Sequence, residues 1–157
     1  MIRQATKYDK TQIIEMMKAF RNEADLPEYK DVENINYWNQ LLDNIFVGQG
    51  VVFIDDNKGL LMAIVVPTIW CNKTFSMHEL AWYVKPEHRN TTLGYRLFVS
   101  YLNYGKELKE QGRIKYFTMS KMVNNTSSTL TNYKLTLEFT SNPAWYAIQA
   151  MPYLMEY

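Results

Sequence analysis

The 157-residue sequence predicts one mixed α/β domain, a sheet with helices on both faces. Three observations predict it. The apolar residues change from helical spacing to strand-like runs and back along the chain. The resulting order is β-α-α-β-β-β-α-β-α-β, which interleaves the two element types. The length, with 47% hydrophobic residues, suits a single domain over 1–157. At roughly 150 residues such a domain buries about 70% of its unfolded surface and needs no staple.

Each element has its own signal. Residues 2–5 form a short first strand. Asp9 then caps a helix, with Gln12 at the capping-box spacing, and Ile13, Met16, Met17, Phe20 and Ala24 make one apolar face. Pro27 stops that helix. A second helix spans 34–44, with Ile35, Trp38, Leu41, Leu42 and Ile45 on one side. Val51 to Ile54 and Leu60 to Ile69 are strands joined by Asp55-Asp56-Asn57-Lys58-Gly59, which is hairpin turn chemistry. After a loop at 71–74, residues 77–84 are the next strand. Pro86 ends it, because proline donates nothing to a ladder. The long helix over 92–109 carries Leu93, Leu97, Phe98, Tyr101, Leu102 and Leu108, and Gly112 stands beyond it as a stop. Residues 114–119 are a strand, 129–137 a weak helix, and the aromatic tail 144–157 a strand. The polar stretch 124–128 is a loop inside the domain.

Composition narrows the function classes. Seventeen basic against sixteen acidic residues give a net charge of +1. That is not the basic excess with which a duplex binder neutralises phosphates, so no nucleic acid is expected. One cysteine, Cys71, forbids an intramolecular disulfide and a multi-cysteine zinc site. The most apolar stretch, 60–69, is about half of what a membrane helix needs and is broken by Pro67. The first residues hold no apolar signal core. The glycosylation-like triplets at Asn72, Asn90 and Asn125 therefore read as loop chemistry in an intracellular protein.

The chemistry lies in Val84-Lys85-Pro86-Glu87-His88-Arg89-Asn90-Thr91-Thr92-Leu93-Gly94-Tyr95-Arg96-Leu97, which joins a strand to the long helix. A helix start exposes unpaired N–H groups at the positive end of a dipole, and these bind a pyrophosphate where the backbone can be approached closely. Arg89 and Arg96 flank the loop as further donors. The stretch resembles the acetyl-CoA loop of the GCN5-related N-acetyltransferases, whose pattern reads V-x-P-E-x-R-x-x-G-x-G-x-x-L. Val84, Pro86, Glu87, Arg89, Gly94 and Leu97 fall in register, and Thr92 replaces the first loop glycine. Glu79 to Val84 is similar to the fourth strand of small phage and bacterial members, and Ile2 to Thr6 with Asp9 is similar to the family's opening. Element order matches over essentially the whole chain, specific residues only in its central third.

The resemblance implies a mixed, mostly antiparallel twisted sheet and direct transfer of an acetyl group from acetyl-CoA to a primary amine, with no metal. It implies a pyrophosphate held on the backbone of Asn90, Thr91, Thr92, Leu93, Gly94 and Tyr95, and a thioester carbonyl polarised by the Val84 N–H. It also implies a cytoplasmic protein, in a host cytoplasm where phage-encoded, and it leaves a homodimer open. Acylation needs a neutral amine, so a base is expected on the cleft strand. Glu79 and His78 are the candidates, with Glu79 preferred. Alternation groups Glu79 with Ala81 and Tyr83, and His78 with Leu80 and Trp82, unless a bulge intervenes, and the resemblance implies a bulge in this strand. Tyr133 is the candidate acid for the leaving thiolate, although Tyr133 to Phe139 is one residue out of the family spacing and Glu138 replaces a glycine. Packing against a helix face explains Tyr133 at least as well. A Cys71–His78 nucleophile pair has no third orienting group, and His88 with Glu87 lacks metal-ligand spacing. The alternative function is a catalytically silent member that binds a protein partner.

Overall fold

Asn57 sits at φ 56°, in the left-handed region that asparagine tolerates, and this closes the hairpin between β2 (Gly50–Asp55) and β3 (Gly59–Thr68). The molecule, described here by a computed structural model, is built outward from that hairpin. The structure describes residues 1–24, 27–29, 32, 34–123, 133–139 and 148–151, and from residue 120 onward by backbone alone. Among these residues seven strands form one sheet in chain order. The others are β1 (Arg3–Gln4), β4 (Cys71–Val84), β5 (Tyr116–Val123), β6 (Tyr133–Phe139) and β7 (Ile148–Met151). Every neighbouring pair is antiparallel except β4–β5, which is parallel.

The helices cover both faces, as the periodicity predicts. The apolar stripe of α3 (Leu93–Glu110) packs Leu93, Leu97, Tyr101 and Leu108 against Val51, Phe53, Leu61, Ala63, Met77 and Phe117. On the other face, α1 (Lys10–Glu23) and α2 (Ile35–Asn44) bring Ile13, Met16 and Leu42 onto Val52, Ile54, Leu60, Met62, Ala81 and Tyr83. Gly112, at φ 69°, ends the run after α3.

Three expectations need correction. Asp9 caps nothing with its side chain at the start of α1. Its carboxylate instead accepts from the Thr6 N–H at 2.8 Å, from Gln12 Nε2 at 2.8 Å and from the Arg3 guanidinium at 2.7 and 2.8 Å. That cluster pins β1 to α1, and Arg3 holds the Asp9 carboxyl far below the usual carboxylate range. Residues 71–74 are the first part of β4, not a loop. The ladder with β3 slips there, from Pro67–Phe75 to Thr68–Cys71, so residues 72–74 have no β3 partner, and the Thr68 and Thr74 hydroxyls bond each other across the irregularity at 2.7 Å.

The third correction concerns the helix expected over 129–137. Tyr133–Phe139 is strand β6, antiparallel to β5, while residues 129–132 lie outside the described residues. The segment Tyr133-Lys-Leu-Thr-Leu-Glu-Phe alternates apolar and polar residues, and that period of two prevails over weak helical spacing. Of the tail strand expected over 144–157, only Ile148–Met151 is described, as β7. The bulge that the sequence left open in β4 is present. β3 and β4 slip register between Met62–Ala81 and Ala63–Glu79, leaving Leu80 as the extra residue.

Candidate functional site

The bulge at Leu80 reassigns the faces of β4. Ala63 belongs to the α3-side core and is the partner of Glu79. Leu61, in the same core, is the partner of Trp82. Glu79 therefore shares the α3 face with Trp82 and Val84, while His78 falls on the opposite face with Ala81 and Tyr83. Strict alternation groups them the other way, and the extra residue reverses that grouping.

The same stretch of β4 loses its second neighbour. β5 pairs with β4 only at Ser76–Tyr116, Met77–Phe117 and His78–Thr118. Beyond His78 the two strands part: β4 continues to Val84 along β3, and β5 continues to Val123 along β6. The direction of the amides in the parted segment follows from one bond. Lys85 N–H donates to the Lys58 carbonyl at 2.9 Å, so residues 58 and 85 form a hydrogen-bonded pair. In an antiparallel ladder such pairs alternate with open ones. Leu60–Tyr83 and Met62–Ala81 then carry the bonds, and the N–H groups of Trp82 and Val84 face away from β3, into the gap.

The loop above the gap runs through a 3-10 turn at Pro86–His88 into α3. Thr91, not Thr92, serves the helix start: its hydroxyl accepts from the Leu93 N–H at 3.2 Å and donates to the His88 carbonyl at 2.6 Å. Thr92 sits at φ −76° and ψ 2°, a conformation open to any residue, so the backbone needs no glycine there. The first intrahelical bond runs from the Arg96 N–H to the Thr92 carbonyl at 2.9 Å. Gly94 and Tyr95 thus carry first-turn N–H groups, at the positive end of an 18-residue helix. An open pocket of about 330 Å³ lies against them, lined by Trp82, Val84, Arg89, Thr91, Gly94 and Tyr95. A Cβ on Gly94 would stand 3.8 Å from both Trp82 and Val84, which shows how close helix start and strand end come. Leu93 is buried in the core, while Asn90 and Arg96 are exposed.

Arg89 lines this pocket and is also bonded within the fold. Its Nε donates to the Val84 carbonyl at 2.9 Å, its Nη2 pairs with the Glu23 carboxylate at the end of α1, and its guanidinium lies 5.8 Å from the Tyr83 ring centre. The pairing with Arg89 holds the Glu23 carboxyl below its ordinary range. Arg89 therefore fixes the loop to β4 and α1. No sequence signal pairs residues 66 positions apart.

Glu79 and His78 meet at the fork of the gap, on opposite faces. His78 bonds the Ser76 hydroxyl through Nε2 at 2.7 Å and the Thr118 hydroxyl through Nδ1 at 2.9 Å, so it ties β4 to β5 where they separate. On the other face Tyr101 donates its phenol to the Thr118 carbonyl. Burial pushes the Tyr101 phenol far up, and the nearby charge of Glu79 adds to it. Sequence reading placed Tyr101 in the core and missed this polar role. Tyr133 is not brought to this group. It pairs with Val123, five residues along β5 from Thr118, or about 16 Å at strand rise. Cys71 is exposed at the start of β4; its β3 partner Thr68 and that of His78, Ile64, stand four residues or about 13 Å apart, and the two form no dyad. Among the described residues no group of three or more His, Cys, Asp or Glu side chains is placed to hold a metal, and no helix is long and apolar enough to cross a membrane.

No family model matches the chain, and no curated protein matches its sequence. Solved structures match it in fold. A possible acetyltransferase from Clostridium difficile 630 superposes with a TM-score of 0.58 at 14% identity, covering 82% of this chain and 81% of that one. The ribosomal-protein-alanine N-acetyltransferase from Brucella melitensis gives a TM-score of 0.58 at 16% identity, over 82% of this chain and 78% of that one. The loading GNATL domain of CurA from Lyngbya majuscula gives 0.59 at 15% identity, over 83% of this chain and 70% of that one. At these identities the likeness is one of fold, and the fold is that of the GCN5-related N-acetyltransferases.

Proposed function

We propose that the chain is an N-acetyltransferase that moves an acetyl group from acetyl-CoA to a primary amine of a small molecule or protein. One observation carries the reading: β4 and β5 part directly below the start of α3, leaving strand amides and first-turn helix amides facing one open pocket. In this reading the pyrophosphate rests on the backbone at Gly94 and Tyr95, with Arg96 adding charge at the rim. The acyl arm enters the gap, and the Val84 N–H receives the thioester oxygen as negative charge grows on it. The amine nitrogen attacks the carbonyl carbon, the C–N bond forms and the C–S bond breaks. The amine proton passes to the Glu79 carboxylate, directly or through water, and the CoA thiolate takes a proton from solvent.

The test combines calorimetry with acetyl-CoA and thiol release over a panel of amines. Native protein binds acetyl-CoA and releases thiol with at least one amine. Glu79→Gln keeps the shape and removes the basicity. It lowers turnover by about 10²-fold, leaves acetyl-CoA affinity within about threefold, and flattens the acidic limb of the pH–rate profile. Unchanged turnover with an unchanged acidic limb makes Glu79 structural and moves the test to His78. A second reading, an acyl-CoA-binding protein that acts through a protein partner, is favoured by Thr92 in the glycine position and by Tyr133 standing in a strand. Binding without thiol release for any amine decides for it.

A further inference from the structure

We propose that the groove beneath the C-terminal end of α3 is a second ligand site, and that it takes a small anion carried on an apolar body. The groove measures about 600 Å³, within the range of small-molecule sites. It lies at the opposite end of α3 from the loop above the gap, about 27 Å away at helical rise for 18 residues. Its floor is apolar, with the buried Leu108 and Ile114, and its rim carries the exposed Phe75, Lys73, Arg113 and Lys115.

The charge is what makes this groove unusual. None of its lining residues is acidic, although the chain as a whole is nearly balanced, with 17 basic and 16 acidic residues. Among the described residues none of the three cations has a carboxylate partner. They come from two places, the start of β4 (Lys73) and the connection between α3 and β5 (Arg113 and Lys115), and the fold brings these together. Backbone bonds hold two of them in place. The Arg113 N–H donates to the Leu108 carbonyl at 2.9 Å, and the Lys115 N–H to the Phe75 carbonyl at 2.8 Å. The first of these also turns a carbonyl of the helix end back onto its own chain, which limits the negative field at the groove. Three cations converging over an apolar floor favour a phosphate, sulfonate or carboxylate attached to an aromatic or aliphatic group.

The test is calorimetry on the full chain with 2-naphthyl phosphate, inorganic phosphate and 2-naphthol. The naphthyl phosphate binds at least tenfold more tightly than either fragment, and added salt weakens it. The Lys73→Glu/Arg113→Glu double variant, and the milder Lys73→Gln/Arg113→Gln, both reduce that affinity at least tenfold with unchanged circular dichroism. The neutral pair decides the matter if the charge-reversed protein does not fold. Failure of 2-naphthyl phosphate to bind, binding no tighter than 2-naphthol, or affinity unchanged in the folded variants overturns the proposal.

Discussion

Leu80 is one residue out of step with the strand beside it, and the positions after it change faces as a result. Without that extra residue Glu79 would point to the α1–α2 side with Tyr83, away from Trp82 and Val84. The bulge is also where β5 leaves, so a single local irregularity both aims the carboxylate and opens the gap. Gly94 has an equally local role. A valine there meets Trp82 and Val84 at ordinary van der Waals distance through its Cβ, and valine is a better helix residue than glycine. Gly94→Val should therefore leave the melting temperature unchanged or slightly raised. Its methyl groups project into the 330 Å³ pocket and should weaken acetyl-CoA at least tenfold, about 1.4 kcal/mol. Thermal denaturation and calorimetry on the same sample separate the two effects, and an unaltered dissociation constant removes the ligand from this pocket.

At the scale of elements, α3 joins the two halves of the sheet, and Gly105 sets how closely it lies on β5. A Cβ at Gly105 would fall 2.7–2.8 Å from ring atoms of Phe117. That ring is buried and set edge-on to Tyr101 at 5.9 Å, so moving it disturbs the packed core. Alanine gains about 1 kcal/mol of helix propensity over glycine, but forcing an atom into such a contact costs about 1–3 kcal/mol. The packing term wins, and Gly105→Ala should lower stability by about 1 kcal/mol in urea unfolding. A stabilised variant would show that the helix can lift off the sheet freely. Element types were legible wherever the period was long and clean, as in α3 and the β2–β3 hairpin. They were misread at β6, where a seven-residue alternation is short enough to pass for one side of a helix.

Over the whole molecule, the two apolar cores hold the helices on the sheet, and ion pairs between separate elements fix which ends meet. Arg3 bonds both Asp9 and Asp56, which ties β1, the entry to α1 and the β2–β3 turn into one cluster. Glu23 and Arg89 do the same for the end of α1 and the loop before α3. None of these pairings follows from spacing, because the partners lie on different elements and only the fold decides which ends meet. The loop motif around Gly94 was readable because a strand end, a proline and a helix start occur in one uninterrupted run. The parting of β4 and β5 was not. It depends on how far two distant strands stay paired, and local pattern carries no record of that. The groove at the far end of α3 was invisible for the same reason, since Lys73 meets Arg113 and Lys115 from a segment about 40 residues away.

The three-pair junction between β4 and β5 also has a consequence for solvent exchange. Between residues 81 and 84 every second amide is bonded to β3, and the alternate amides face the gap. Deuterium should therefore enter in a staggered pattern: Ala81 and Tyr83 slow, Trp82 and Val84 faster by about a hundredfold, because only the first two wait for the ladder to open. Slow exchange at all four positions in the free protein would mean that another strand covers this edge. A ligand lodged in the gap should remove the stagger by slowing Val84 first. That makes the amide of one strand residue a direct reporter of whether the space between the strands is filled.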